Sequence, residues 1–260
     1  MLRKAVIVLA CCTALVCGGT SAVRQVQPHE VEPRESNRVD GGIPVALGDF
    51  PWHVTIDAND ENIQLWVFRC EGAIISNLFV IASYYCGSQQ GEEIRVVAGY
   101  VDKNVPFTGQ VSYVIDTIVS PVNYVALLKL SAPIEFTPDI GPVMLPPADA
   151  TSDPGTGMIV TGWGEGNQVD QIMRLDIFVI SFLSCNSFHP EVDLTNILCA
   201  GASNSEIGMC SNRNPGAPLV YNGELRGVFF SQYEPCYNYY PAFYADIPRY
   251  RDWIQQIAGV

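Results

Sequence analysis

The sequence predicts an all-β protein, a sandwich or a pair of barrels with one helix at the C-terminal end, and three observations predict it. From Val39 onward, ten or more short apolar runs alternate with turn signals, and no helical repeat intervenes. The 22 glycines and 18 prolines among 260 residues favour many turns and short strands. The one helical pattern lies at the end, where Trp253, Ile254 and Ile257 share a face of Asp246–Ile257. A chain of this length buries roughly 70–75% of its unfolded surface, so a sizeable core is available. With 48% hydrophobic and only 16% charged residues, a disordered acidic tail is excluded.

Residues 1–22 stand apart from the fold. Arg3 and Lys4 precede an apolar run from Ala5 to about Cys17, and small residues lead to Thr20-Ser21-Ala22. That order reads as a secretory signal, and the run is too short for a membrane span. It takes Cys11, Cys12 and Cys17 out of the nine cysteines and leaves an even set of six for an oxidising compartment. It also removes two positive charges, so the formal charge moves from −13 to −15. Nucleic acid and anionic membranes are therefore poor electrostatic partners, and an extracellular location is expected. Residues 23–38, polar and with Pro28 and Pro33, read as an exposed leader.

The expected strands follow in order: Trp52–Ile56, Ile63–Phe68, Ile74–Ala82, Ile94–Val97, Val111–Val119, Val125–Leu130, Met158–Gly162, Gln171–Val179, Gly216–Tyr221 and Glu224–Phe230. A break near Pro142–Asp149 divides them into two halves of similar size. The six cysteines fall as Cys70/Cys86, Cys185/Cys199 and Cys210/Cys236, and sequence alone leaves fifteen connectivities open. Pairing neighbours is the simplest choice; each loop of about fifteen residues is worth roughly 3 kcal/mol in the chain-entropy account. There is no C-x-x-C and no histidine beside a cysteine pair, so no metal and no cofactor are expected.

Several segments together resemble the trypsin- and chymotrypsin-like serine proteases. Arg38-Val39-Asp40-Gly41-Gly42, then Gly48-Asp49-Phe50-Pro51-Trp52, resembles the activation junction R-I-V-G-G and its G-x-F-P-W. Cys70-Glu71-Gly72-Ala73-Ile74-Ile75-Ser76-Asn77 is similar to C-G-G-S-L-I-S-N, and Ala126-Leu127-Leu128-Lys129-Leu130 to the end of D-I-A-L-L-K-L. Val160-Thr161-Gly162-Trp163-Gly164 is an intact V-T-G-W-G, Cys199-Ala200-Gly201 matches C-A-G, and Asp252-Trp253-Ile254 sits where the family ends in a helix. The resemblance implies two packed six-stranded antiparallel β-barrels over residues 39–260. It also implies all three neighbour disulfides, Cys210 to Cys236 included, and a cleavage between Arg38 and Val39.

The chemistry of that family needs a hydroxyl nucleophile, an imidazole base and a carboxylate that orients the base. In the base segment T-A-A-H-C this chain has Ala82-Ser83-Tyr84-Tyr85-Cys86, with Tyr85 in the histidine position. A phenol ordinarily titrates near ~10 and takes a serine proton poorly at neutral pH. The carboxylate position is Tyr124, after Asn123. The nucleophile run C-x-G-D-S-G-G-P is one residue longer here, from Cys210 to Pro218. Counting back puts Pro215 in the serine position and counting forward puts Asn214 there. A proline would also remove one backbone donor of the oxyanion hole.

Loss of the triad costs on the order of 10⁶ in turnover in one well-studied protease. These replacements lead to the expectation that the chain is not an enzyme. His29, His53 and His189 read as surface or strand histidines, and Ser211 and Ser231 flank the site. The aspartate that receives the freed amino terminus in the family corresponds to Asn214 or Arg213. In the substrate pocket, Gly208 replaces the aspartate that selects Arg or Lys, and Ser231-Gln232-Tyr233 replaces S-W-G, which narrows the pocket.

The reading from sequence is a secreted, catalytically inactive protease homologue that binds or regulates extracellular proteins as a decoy or cofactor. Two alternatives stand beside it: an active serine-type endopeptidase with a relocated site, and a structural extracellular component. The partner is an unidentified extracellular protein, and the oligomeric state is open.

Overall fold

The structure, a computed structural model, describes residues 39–40, 42–60, 62–87, 92–163, 170–202, 208–209, 214–232 and 241–260. The expected signal, the leader with Arg38, and the residues His29, Cys210, Ser211, Arg213, Tyr233 and Cys236 lie outside the described residues. All the described residues belong to one compact unit from Glu35 to Val260.

The strands in chain order are β1 (Val39–Asp40), β2 (Ile43–Pro44), β3 (His53–Asp60), β4 (Leu65–Ser76), β5 (Phe79–Ser83), β6 (Ile94–Ala98), β7 (Gln110–Val119) and β8 (Val125–Leu130). After them come β9 (Gly157–Trp163), β10 (Ile172–Val179), β11 (Ile197–Gly201), β12 (Gly208–Met209), β13 (Pro218–Tyr221), β14 (Glu224–Gln232) and β15 (Ala242–Asp246). Among the described residues two α-helices join them, α1 (Phe182–Phe188) and α2 (Arg251–Ala258).

The first barrel closes in the order β3-β4-β5-β8-β7-β6. The second runs β11-β15-β14-β13-β9-β10, with the β10–β11 pairing closing it and β2 added outside β10. Every strand pair in both is antiparallel, so the expected fold of two six-stranded barrels holds. The break near Pro142–Asp149 falls in the connection between the barrels. Apart from them, β1 pairs with β12, Val39 opposite Met209 and Asp40 opposite Gly208.

Side-chain period explains the packing. On β8, Ala126, Leu128 and Leu130 point into the first barrel with Ile56, Ile74 and Val96. Val125 and Leu127 point the other way, into a shared layer with Val228, Phe230 and Phe243 of the second barrel. Both faces of the strand are therefore buried, which is why it reads as a near-continuous apolar run. The second barrel has its own interior of Val160, Met173, Leu175, Leu219, Phe229 and Tyr244. Helix α2 lays Ile254 and Trp253 onto the shared layer.

Several boundaries differ from expectation. β4 runs through Arg69 and Glu71, where polarity splits the sequence pattern, because Glu71 is itself buried. The run Ile74–Ala82 is two strands that meet at a turn after Ser76. The C-terminal helix starts at Arg251, because Pro248 opens a 3-10 turn at Ile247–Tyr250 before it. Helix α1 is not among the elements the sequence predicts. It buries only Cys185 and shows Phe182 and Leu183 to solvent, so it has no apolar stripe; Ser181 caps it by accepting from the Ser184 N–H.

Two of the three expected disulfides are present, Cys70–Cys86 and Cys185–Cys199, with Cα atoms 5.7 and 6.4 Å apart. The third expected disulfide, between Cys210 and Cys236, lies outside the described residues. The expectation for Cys236 therefore stays one of sequence and resemblance alone. Among the described residues, no helix is long and apolar enough to cross a membrane.

Candidate functional site

The positions singled out from the sequence converge where the two barrels meet. Strand β5 ends at Ser83, and the next three residues form a 3-10 turn, Tyr84–Cys86. The Tyr84 N–H donates to the carbonyl of Tyr124, at 3.3 Å. Tyr124 stacks on Phe230 of β14, with ring centres 4.5 Å apart and planes 19° apart. Tyr85 packs its ring 3.9 Å from that of Tyr84 and remains 57% exposed. Pro215 lies against the same corner, its carbonyl 3.6 Å from the Cys86 sulfur and accepting from the Glu71 N–H at 2.9 Å. Tyr85, Tyr124 and Pro215 thus surround one junction.

The chain around Pro215 is fixed by its neighbours. The Gly216 N–H donates to Phe229 at 2.7 Å, and the Ala217 N–H to Asn214 at 3.1 Å. Gly216 has φ +92°, and a Cβ there would lie 1.8 Å from the Glu71 carbonyl, so only glycine fits. Asn214 is 1% exposed and turned away from the corner, donating its amide to the Glu71 carboxylate at 2.9 Å and to the Trp163 carbonyl at 3.2 Å.

Behind this corner runs a buried polar seam that the sequence reading missed. The Glu71 carboxylate is fully buried and also accepts from the Trp163 N–H at 2.6 Å. Gly162 gives it room, since a Cβ there would lie 2.5 Å from the Asn214 amide nitrogen. The signal was available: Glu71 stands where the family pattern C-G-G has glycine.

In the same seam His53 Nδ1 shares a hydrogen bond with the Thr161 hydroxyl at 2.9 Å. Burial pushes the His53 imidazole down to about 3, so it is neutral at physiological pH. It is an imidazole beside a hydroxyl, but the two residues are 5% and 1% exposed, out of reach of a substrate.

The remaining positions scatter. His189 ends α1, its ring edge-on to Phe243 at 5.1 Å and 3.6 Å from the Glu191 carboxylate. On β14, Ser231 and Gln232 pair with Phe243 and Ala242. Gly208 is held in β12 opposite Asp40. Chemically, the corner offers phenols. Burial, with Tyr85 and Tyr124 adding to it, pushes the Tyr84 hydroxyl up to about 12, so it donates hydrogen bonds and does not act as a base near neutrality.

This geometry can be set beside known proteins. Residues 39–254 match the family described as trypsin. The chain belongs to the trypsin family. It is similar to trypsin alpha of Drosophila erecta, at 29% identity over 98% of each chain. It is 30% identical to trypsin-3 of Salmo salar over 74% of this chain and 84% of that one, and 25% identical to a trypsin of Xenopus laevis over 85% and 91%.

These relatives overturn the expectation that the chain is not an enzyme. It was drawn from Tyr85, Tyr124 and Pro215 or Asn214, with His29, His53, His189, Ser211 and Ser231 set aside as substitutes, while chains named trypsin align with this one over 85–98% of its length. The physical reason for the error is simple. Residue identities at the family's positions say what those side chains cannot do, and motif position alone does not place another hydroxyl, acid or imidazole in the folded cleft.

Proposed function

We propose that this chain is a secreted protein of the serine endopeptidase class that takes polypeptide into the cleft between its barrels. Peptide hydrolysis there uses a hydroxyl outside the Tyr85, Tyr124 and Pro215 positions. In this reading residues 1–22 are a signal removed on secretion, 23–38 a leader cut off between Arg38 and Val39, and 39–260 the working domain. The match to the trypsin family over residues 39–254 carries the proposal. The disulfides Cys70–Cys86 and Cys185–Cys199 accord with an extracellular site of action.

The experiment is to treat the purified chain, before and after cleavage at Arg38, with a biotinylated fluorophosphonate and a peptide-substrate library. A labelled serine, mapped by mass spectrometry, together with peptide turnover is the expected result. Absence of both labelling and turnover would sink the hydrolytic part.

A second reading is favoured by one specific observation, the exposed Tyr85 ring at the corner. Aromatic side chains on a rigid rim anchor protein partners well, so the same corner serves binding to an extracellular protein and a cofactor-like or decoy role toward proteases. Crosslinking in the native secretion, with wild type and Tyr85→Ala, tests it; an unchanged set of crosslinked proteins would count against it.

A further inference from the structure

A second concavity, which the proposed function does not use, lies on the first barrel beside Trp163 of β9. A cavity of about 530 Å³ lies among β3, β4, β6 and the segment 100–107, lined chiefly by Trp66, Phe68, Arg95, Tyr100, Phe107 and Trp163. That volume is in the range that holds a small ligand. None of Tyr85, Tyr124, Pro215 or Ser231 lines it.

Its walls are rings held in place. Tyr100 meets Phe107 edge-on at 5.4 Å and Trp163 at 5.8 Å. Trp163 is fixed at two points, its backbone N–H on the Glu71 carboxylate and its indole N–H on the Thr55 hydroxyl at 2.9 Å. A ligand therefore meets a wall already ordered, which lowers the entropy cost of binding.

The charges have a sign. Arg95 and Lys103 line the cavity against one carboxylate, Asp57, in a chain whose formal charge is −13. Lys103 also reaches Asp170, at 4.0 Å, so Arg95 is the cation that matters here. The Arg95 guanidinium lies 4.5 Å over the Trp66 ring. It engages Asp57 Oδ2 through Nε at 3.0 Å and Nη2 at 2.9 Å, so Nη1 is the remaining nitrogen of the fork. A guanidinium donor beside a stack of rings matches a flat aromatic body that carries an acid group.

We propose that this cavity binds a small planar aromatic carboxylate, its ring between Trp66, Tyr100 and Phe107 and its acid group on Arg95. The site is independent of the hydrolytic reading and does not fall with it.

Ligand-observed NMR on the full chain, with indole-3-acetate and with indole as probes, tests it. Indole-3-acetate saturates with a Kd on the order of 1 mM or tighter, as its size permits, and binds roughly tenfold tighter than indole. Arg95→Gln abolishes that difference and leaves indole binding in place. Phe107→Ala, at an exposed rim position, weakens both probes about fivefold. Near-UV circular dichroism checks that each variant keeps its fold. A carboxylate preference that survives Arg95→Gln, equal binding of both probes to wild type and Phe107→Ala, or no saturation up to about 10 mM overturns the proposal.

Discussion

At the seam, Glu71, His53, Thr161 and Asn214 are at most 5% exposed, whereas at the corner Tyr85 keeps 57% of its surface in water. The seam holds the side chains that look reactive: an acid, an imidazole, a hydroxyl and a carboxamide. The corner holds phenols and a proline. The difference teaches that solvent access, not residue type, separates structural polar groups from those that can meet a substrate. In the buried seam the Trp163 N–H and the Asn214 amide meet fixed acceptors, so these hydrogen bonds hold the chain at Asn214. At the corner the exposed Tyr85 can change with little effect on the rest.

Substitutions can break this contrast. The largest expected effect is Gly216→Ala, whose Cβ would collide with the Glu71 backbone at a positive φ. It should cost about 4 kcal/mol or more, read from denaturant unfolding, because both backbones must move. Glu71→Ala comes next. It strips an acceptor from the Trp163 N–H and the Asn214 amide, and about 3 kcal/mol should be lost. For a domain of this size that is a fall in Tm of roughly 6–12 °C. A loss below about 1 kcal/mol would mean that the seam does not shape the corner.

His53 sharpens the comparison through pH. Its imidazole is held near 3 in the folded state, against an ordinary value of 6.5 in the unfolded chain. The unfolded state thus binds the proton first as pH falls. The stability is complete above ~6.5 and drains away at about 1.4 kcal/mol per pH unit from there toward 3. The difference in stability between wild type and His53→Asn should therefore change with that slope between pH 6 and 4. A flat difference would show that His53 is reached by solvent.

The corner should respond least. Tyr124→Ala, which unstacks Phe230, should cost about 2 kcal/mol. Tyr85→Ala should stay within about 0.5 kcal/mol by thermal melting, since that ring is mostly in water. A larger loss at Tyr85 would make the corner part of the scaffold.

Much of the fold was legible in the sequence. β8 was expected at its observed bounds, because Val125–Leu130 is apolar on both faces and ends at a turn. The barrel pair came from motifs spread over the whole chain. Of the cysteine pairs, two close as their spacing suggests, while the pairing of Cys210 with Cys236 rests on spacing and family pattern, since both lie outside the described residues. What escaped had no local signal. α1 hides one residue and exposes its apolar ones, and β11 and β15 are short. The junction of Tyr85, Tyr124 and Pro215 was readable from motif position, but the seam behind it was not, although Glu71 in place of a glycine was its one written sign. Nor was the ring-lined cavity legible, since Trp66 on β4, Tyr100 after β6 and Trp163 on β9 come together only when the two barrels pack.

The short pairing of β1 with β12 bears on how the chain could be cut. Val39 and Asp40 already lie opposite Met209 and Gly208 as a strand. A processing enzyme that grips its target as a free extended segment must first peel those two residues away. If the proposed cut before Val39 is made, its rate would report that local unzipping, and binding that tightens β12 would slow it without touching the enzyme that cuts.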